Sequence, residues 1–161
     1  MCMNDDEKIV QCLEKSRTRF DPQSRELPQT GGVYAIYSTR PTIGSFQAGN
    51  KNGLIYIGKS TDLSRRPLKD YFETGRTGFS TLRRSIEAIL KQELGLIAFP
   101  RGPGQAESNI RNYKFRPQGE ERLTNWMMEN LEVAVYPVLD CYAQMEEKLI
   151  GELTPTLNLQ G

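Results

Sequence analysis

The sequence predicts a small α/β domain of the α+β kind, with a mainly antiparallel central sheet of about three strands flanked by helices. Three observations carry this. The runs VYAIY (33–37), LIYIG (54–58) and EVAVYPVL (132–139) are short and rich in β-branched and aromatic residues, the composition of strands. Apolar residues recur at helical spacing in the stretches around them. A chain of 161 residues, 37% hydrophobic and 25% charged, has the length and balance of one globular domain with its own core.

Taken in order, residues 4 to about 16 carry Ile9, Val10, Cys12 and Leu13 at near-helical spacing, with Asp5 and Asp6 early, where the helix dipole favours acids. DPQSRELPQTGG ends that helix, so residues 1–30 read as a helical extension of a core at 31–161. VYAIY is the first strand. The connection over 38–53 is long for a hairpin, and loops of that length in compact domains are usually functional or mobile. LIYIG, the second strand, pairs most simply antiparallel to the first. Ser60, Thr61 or Asp62 then caps a helix holding Leu63, Leu68, Tyr71 and Phe72, which Pro67 interrupts. A helix from about Ser80 sets Leu82, Ile86, Ile89, Leu90 and Leu94 on one side, with Gly95 as its stop. LIAFP is a short strand leading into a second inserted loop near 99–117. PQGEERLTNWMMENL opens on Pro117 and turns Leu123, Trp126, Met127 and Leu131 inward. EVAVYPVL is the third strand, and CYAQMEEKLIGEL is the last helix.

Several function classes drop out. No apolar run approaches the roughly 20 residues of a membrane span, so no membrane partner is expected. The acidic start MCMNDDEK is not a signal peptide, and three cysteines (Cys2, Cys12, Cys141) cannot pair completely, which together point to a reducing, cytoplasmic setting. With no histidine in the chain, acid–base chemistry falls to tyrosine, lysine or carboxylates. The net charge of +1 is uninformative, but its distribution is not. Lys59, Arg65, Arg66, Lys69, Arg76, Arg83 and Arg84 face only Asp62, Asp70 and Glu73, a local excess suited to phosphate contact or to a solvated helix face.

Two stretches bear on chemistry. In the last helix Tyr142, Ala143, Leu149, Ile150 and Leu153 surround Glu146 at helical spacing, which centres a carboxylate on the apolar stripe. Such a group is ion-paired, protonated, metal-bound or at the stripe's edge. GLIYIGKS (53–60) fits the phosphate-loop string G-x-x-x-x-G-K-[ST]. Its four variable positions, Leu54 to Ile57, favour a pleated strand where that loop needs a flexible turn, so the nucleotide-binding reading is rejected.

Read as strands, Gly32-Val33-Tyr34 and Tyr56-Ile57-Gly58 each pair a tyrosine with a glycine two residues away. Lys59, Asp62-Leu63 and Arg66 follow, Arg66 standing ten residues past Tyr56, and Asn158 lies twelve past Glu146 with Pro155 between. This ordered set resembles the GIY-YIG nuclease superfamily of homing endonucleases, excision-repair incision subunits and restriction enzymes. The resemblance spans about 31–158, with Val33 in place of the family's isoleucine. It implies a metal-dependent endonuclease cutting phosphodiester bonds in DNA, with RNA the second choice and Mg2+ or Mn2+ as cofactor. In the implied site Glu146 holds the metal, Tyr56 activates water with Lys59 as the cation tuning it, and Tyr34 is a second hydrogen-bonding tyrosine. Arg66 contacts phosphate and Asn158 fixes the geometry around the glutamate. Asp70 stands where the family commonly has histidine or tyrosine, and Tyr71, one residue later, takes that place. The alternative is a catalytically weak or inactive module that binds nucleic acid or protein through the same basic face. The sequence leaves monomer and homodimer open.

Overall fold

The β-branched and aromatic runs form strands, and the amphipathic stretches form helices. The computed structural model describes residues 6–19, 27–44, 46–47, 50–64, 81–94, 98–100, 113–115 and 117–158. In chain order, α1 spans Asp6–Ser16, β1 Thr18–Arg19, β2 Gly32–Ser38, β3 Thr42–Ile43 and β4 Phe46–Gln47. A 3-10 turn at Asn50–Gly53 leads into β5, Leu54–Ser60. Then come α2, Thr81–Leu94, β6, Ala98–Pro100, β7, Tyr113–Phe115, α3, Pro117–Asn130, β8, Leu131–Pro137, and α4, Tyr142–Leu153.

The main sheet is antiparallel and runs β1-β8-β2-β5. It has four strands rather than three because two-residue β1, too short to leave a pattern in the sequence, pairs Thr18 with Val133 and Arg19 with Glu132. β2 lies between β8 and β5, and all seven of its residues are buried. A strand covered on both faces loses polar alternation, which is why VYAIY reads as one apolar run.

Helices cover the two faces. Leu82, Ile86 and Leu90 of α2 and Leu123, Trp126 and Met127 of α3 pack with Tyr34, Ile36, Ile55 and Val133. Ile9 and Leu13 of α1 and Met145 and Leu149 of α4 pack with Val33, Ala35, Tyr37, Ile57 and Ala134. The sheet is thus the middle of three layers. The expected inserted loops at 38–53 and 99–117 carry short ladders of their own, β3 with β4 and β6 with β7.

Polar contacts add to the apolar docking of α1. Lys148 of α4 reaches Asp6 at 2.8 Å. Arg17 donates through Nε to Glu132 at 2.9 Å and through Nη1 to the Asn52 carbonyl at 2.7 Å, while lying 4.1 Å from the Tyr37 ring centroid. Burial first, and then the charge of Glu14, push the Tyr37 phenol up to about 12, with Arg17 pulling it back. Cys12 is free and exposed, whereas Cys141 is disulfide-bonded. Among the described residues no helix is long and apolar enough to cross a membrane.

Candidate active site

The site is organised by β5, the terminal strand of the sheet. Gly53 lies at φ 88 with the Ser38 carbonyl only 2.5 Å from where a Cβ would stand, so the chain enters β5 through a glycine turn. Leu54 to Ser60 are strand throughout, in agreement with rejection of the phosphate-loop reading.

Register decides which side chains meet. Tyr34 of β2 sits opposite Gly58, and Ile36 opposite Tyr56. The Tyr34 ring lies over Gly58, where a Cβ would come within 2.3 Å of Cζ and Oη, so the glycine makes room for a tyrosine. Tyr34 is buried and Tyr56 half-buried, their ring centroids 6.3 Å apart at 29°. Both belong to the face covered by α2 and α3.

Lys59 takes the other face. It is paired with Val33, two residues past Ile57, and strand alternation sends it toward α4, where its Nζ lies 3.0 Å from Glu146 Oε2. The hydrogen bond to Glu146, followed by that residue's charge, holds the ammonium above the usual lysine range. Lys59 is therefore the counter-ion of Glu146, and its expected placement beside Tyr56 is corrected: three residues apart on a strand, the two leave opposite faces. In α4 the buried line is Met145 and Leu149, each worth about 1.5–3 kcal/mol of burial. Glu146 stands at the edge of that line rather than at its centre, with its side chain 18% exposed.

Asn158 holds β5 from outside. Its Oδ1 accepts from the Ile57 N–H and its Nδ2 donates to the Ile57 carbonyl, both at 2.8 Å, so one side-chain amide imitates a neighbouring strand. The Leu157 N–H donates to the Ile55 carbonyl at 2.7 Å. The strap containing them turns back from α4 at Thr154, a β-branched residue at φ 43, whose N–H donates to Ile150. Nothing in the sequence marks Thr154 or Leu157 for this role, since each reads as ordinary loop.

Lys59 and Glu146 line an open groove of about 620 Å³ with Ala143, Gln144, Glu147, Ile150 and Gly151. Among the described residues no group of three or more acidic, histidine or cysteine side chains could cage a metal. The Glu146 carboxylate in an open groove, with Glu147 also on its wall, fits a hard cation such as magnesium, which keeps several waters and takes substrate oxygens as ligands.

The expected basic face is reduced. Arg83 is fully buried, with Nη2 3.1 Å from Glu120 Oε2 and 3.4 Å from the Glu120 carbonyl, and so joins α2 to α3 in the core. It does not face a nucleic acid. Arg84 follows it on α2. Arg65, Arg66, Lys69, Tyr71 and Arg76 lie outside the described residues, as does Pro67. Where the described chain enters that segment, Asp62 closes an Asx turn, its Oδ1 accepting from the N–H and hydroxyl of Ser64; the helix expected after it lies outside the described residues.

The sequence profile of the GIY-YIG catalytic domain matches residues 32–161. The chain belongs to the GIY-YIG family. The match starts at β2 and runs through α4 and the Asn158 strap, so α1 and β1 precede the family's domain. GIY-YIG domains form a nuclease family, and a nuclease domain implies a nucleic-acid substrate. Comparison with curated proteins and with solved structures gives no match.

Proposed function

We propose that this chain is a divalent-metal-dependent endonuclease that hydrolyses phosphodiester bonds in DNA. The observation that carries the reading is the Glu146 carboxylate, held by α4 at an open groove and charge-paired to the lysine that follows the family's Tyr-Ile-Gly strand.

Hydrolysis requires a water to attack phosphorus while negative charge builds on the phosphate and the leaving oxygen. Glu146 supplies the carboxylate ligand for Mg2+ or Mn2+. When bound, the ion acts as a Lewis acid on phosphate and leaving oxygen. The Lys59 ammonium, half-exposed beside that carboxylate, offers a charge to a non-bridging phosphate oxygen. Arg66 is assigned a second phosphate contact on the family pattern. Tyr56, acting as its phenolate with its own proton released to solvent, is the group assigned to take the proton from water, with Tyr34 packed against it over Gly58. Asn158 keeps β5 in register with the strap, and so holds the strand from which Tyr56 and Lys59 both project. Because those two side chains leave opposite faces and the strap covers the outer edge at Ile55 and Ile57, the scissile phosphate is assigned to the Gly58–Ser60 end of that edge, beyond the strap.

Incubating supercoiled plasmid with Mg2+, with the wild type beside Glu146→Gln, tests the reading. Nicking that needs both Mg2+ and Glu146 is expected. Equal nicking by the two proteins would refute the ligand assignment, and nicking by neither would leave a binding module. The cytoplasm is the proposed location.

A further inference from the structure

The two partners in the ion pair at the groove are unequal. Glu146 is set on a helix whose neighbouring Met145 and Leu149 are anchored in the core, and its side chain is 18% exposed. Lys59 carries its charge on a flexible four-carbon stem, 48% exposed. Any rupture of this pair moves the lysine. The groove has space for the movement, since a Cβ added at Gly151, on its wall, would meet nothing within 4 Å.

An ammonium 3.0 Å from a carboxylate oxygen occupies the place where a cation would approach, and it repels a doubly charged ion at short range. Loading a divalent cation on Glu146 therefore requires the ammonium to withdraw, and withdrawal is easiest when another anion takes it. A phosphodiester at the edge of β5 is such an anion.

We propose that Lys59 is a counter-ion gate on Glu146: it excludes the divalent cation in the resting protein and yields the carboxylate when a nucleic-acid phosphate draws it away. Cation and nucleic acid then bind cooperatively, each strengthening the other by the same factor. The inference rests on Glu146 being the cation ligand, and its test keeps the two claims apart.

Calorimetric titration of Mn2+ into wild type, Lys59→Met, Lys59→Arg and Glu146→Gln, with circular dichroism as the folding control, reads the gate without turnover. Without nucleic acid, Lys59→Met is expected to bind Mn2+ about tenfold tighter than wild type, and Lys59→Arg, which keeps the charge, about as weakly as wild type. A hydrolysis-resistant phosphorothioate duplex should strengthen Mn2+ binding to wild type by about tenfold, and by a clearly smaller factor in Lys59→Met. Equal or weaker Mn2+ binding by Lys59→Met, with binding lost in Glu146→Gln, would overturn the gate and leave the ligand assignment standing. Unchanged Mn2+ binding in Glu146→Gln would overturn both.

Discussion

Asn158→Asp changes one atom of the site's support, an NH2 to an oxygen, and its consequences follow from the two bonds seen. The Ile57 N–H keeps its acceptor, whereas the Ile57 carbonyl loses a donor at 2.8 Å and gains an anionic oxygen in its place. A lost hydrogen bond costs about 0.5–1.5 kcal/mol net, and a partly buried carbonyl left unpaired against negative charge brings the total to roughly 2–3 kcal/mol. For a domain of this size that is a fall in Tm of about 5–10 °C. The sign of the pH dependence is fixed by the donor. Only the protonated carboxyl can donate to the Ile57 carbonyl, so its folded pKa is raised above the ordinary aspartate value of about 3.9. The stability it contributes is fully present below that ordinary value and is lost as pH rises through the folded pKa. The gap from wild type in urea melts should therefore be largest at neutral pH and close as pH falls toward about 4. Amide exchange at Ile57 should stay protected in Asn158→Asp and become fast in Asn158→Ala. Plasmid nicking should fall by about ten- to a hundredfold in both variants, because β5 carries Tyr56 and Lys59. Wild-type stability for Asn158→Asp at pH 7, or a gap that does not narrow in acid, would refute the clamp.

Other outcomes follow from the same geometry. Gly58→Ala drives a methyl into the buried Tyr34 ring and should cost about 1–3 kcal/mol in urea melts and lower nicking, while Gly151→Ala, in helix α4 with nothing within 4 Å of its Cβ, should raise stability by up to about 1 kcal/mol. Arg83→Met removes the buried guanidinium that pairs with Glu120 in the core, a loss of about 3–5 kcal/mol in chemical denaturation, and the double variant Arg83→Met, Glu120→Leu should recover most of it. The Tyr37 phenol, raised from 10.0 to about 12, stays protonated in the folded state while the unfolded state ionises. The associated stability is intact below pH 10 and falls between about pH 10 and 12 by up to about 1.4 kcal/mol per pH unit, a slope that Tyr37→Phe should reduce in alkaline denaturation. Thr154→Gly, which removes the side chain from a left-handed residue, should raise the unfolding midpoint by about 1 kcal/mol equivalent.

Much of this protein is written in local pattern. Strand runs and helical spacing place β2, β5, β8 and most of the helices within a few residues, because a side chain's face is set by the geometry of its own element. The same periodicity singled out Glu146, and the tyrosine–glycine pairs marked the two strands that prove to be neighbours. What pattern cannot supply is the identity of the element covering each face. Arg83 reads as part of a basic surface until α3 closes over it with Glu120. Lys59 reads as a neighbour of Tyr56 until the pleat turns it to α4. β1 is too short to show a period, and Asn158 looks like a turn residue until the strap carries it back to Ile57, 101 positions earlier in the chain. The sequence by itself determined the elements and the residue types available for chemistry. The tertiary structure decided which charges are partnered and which strand edge is sealed, because those depend on contacts between segments far apart in the chain.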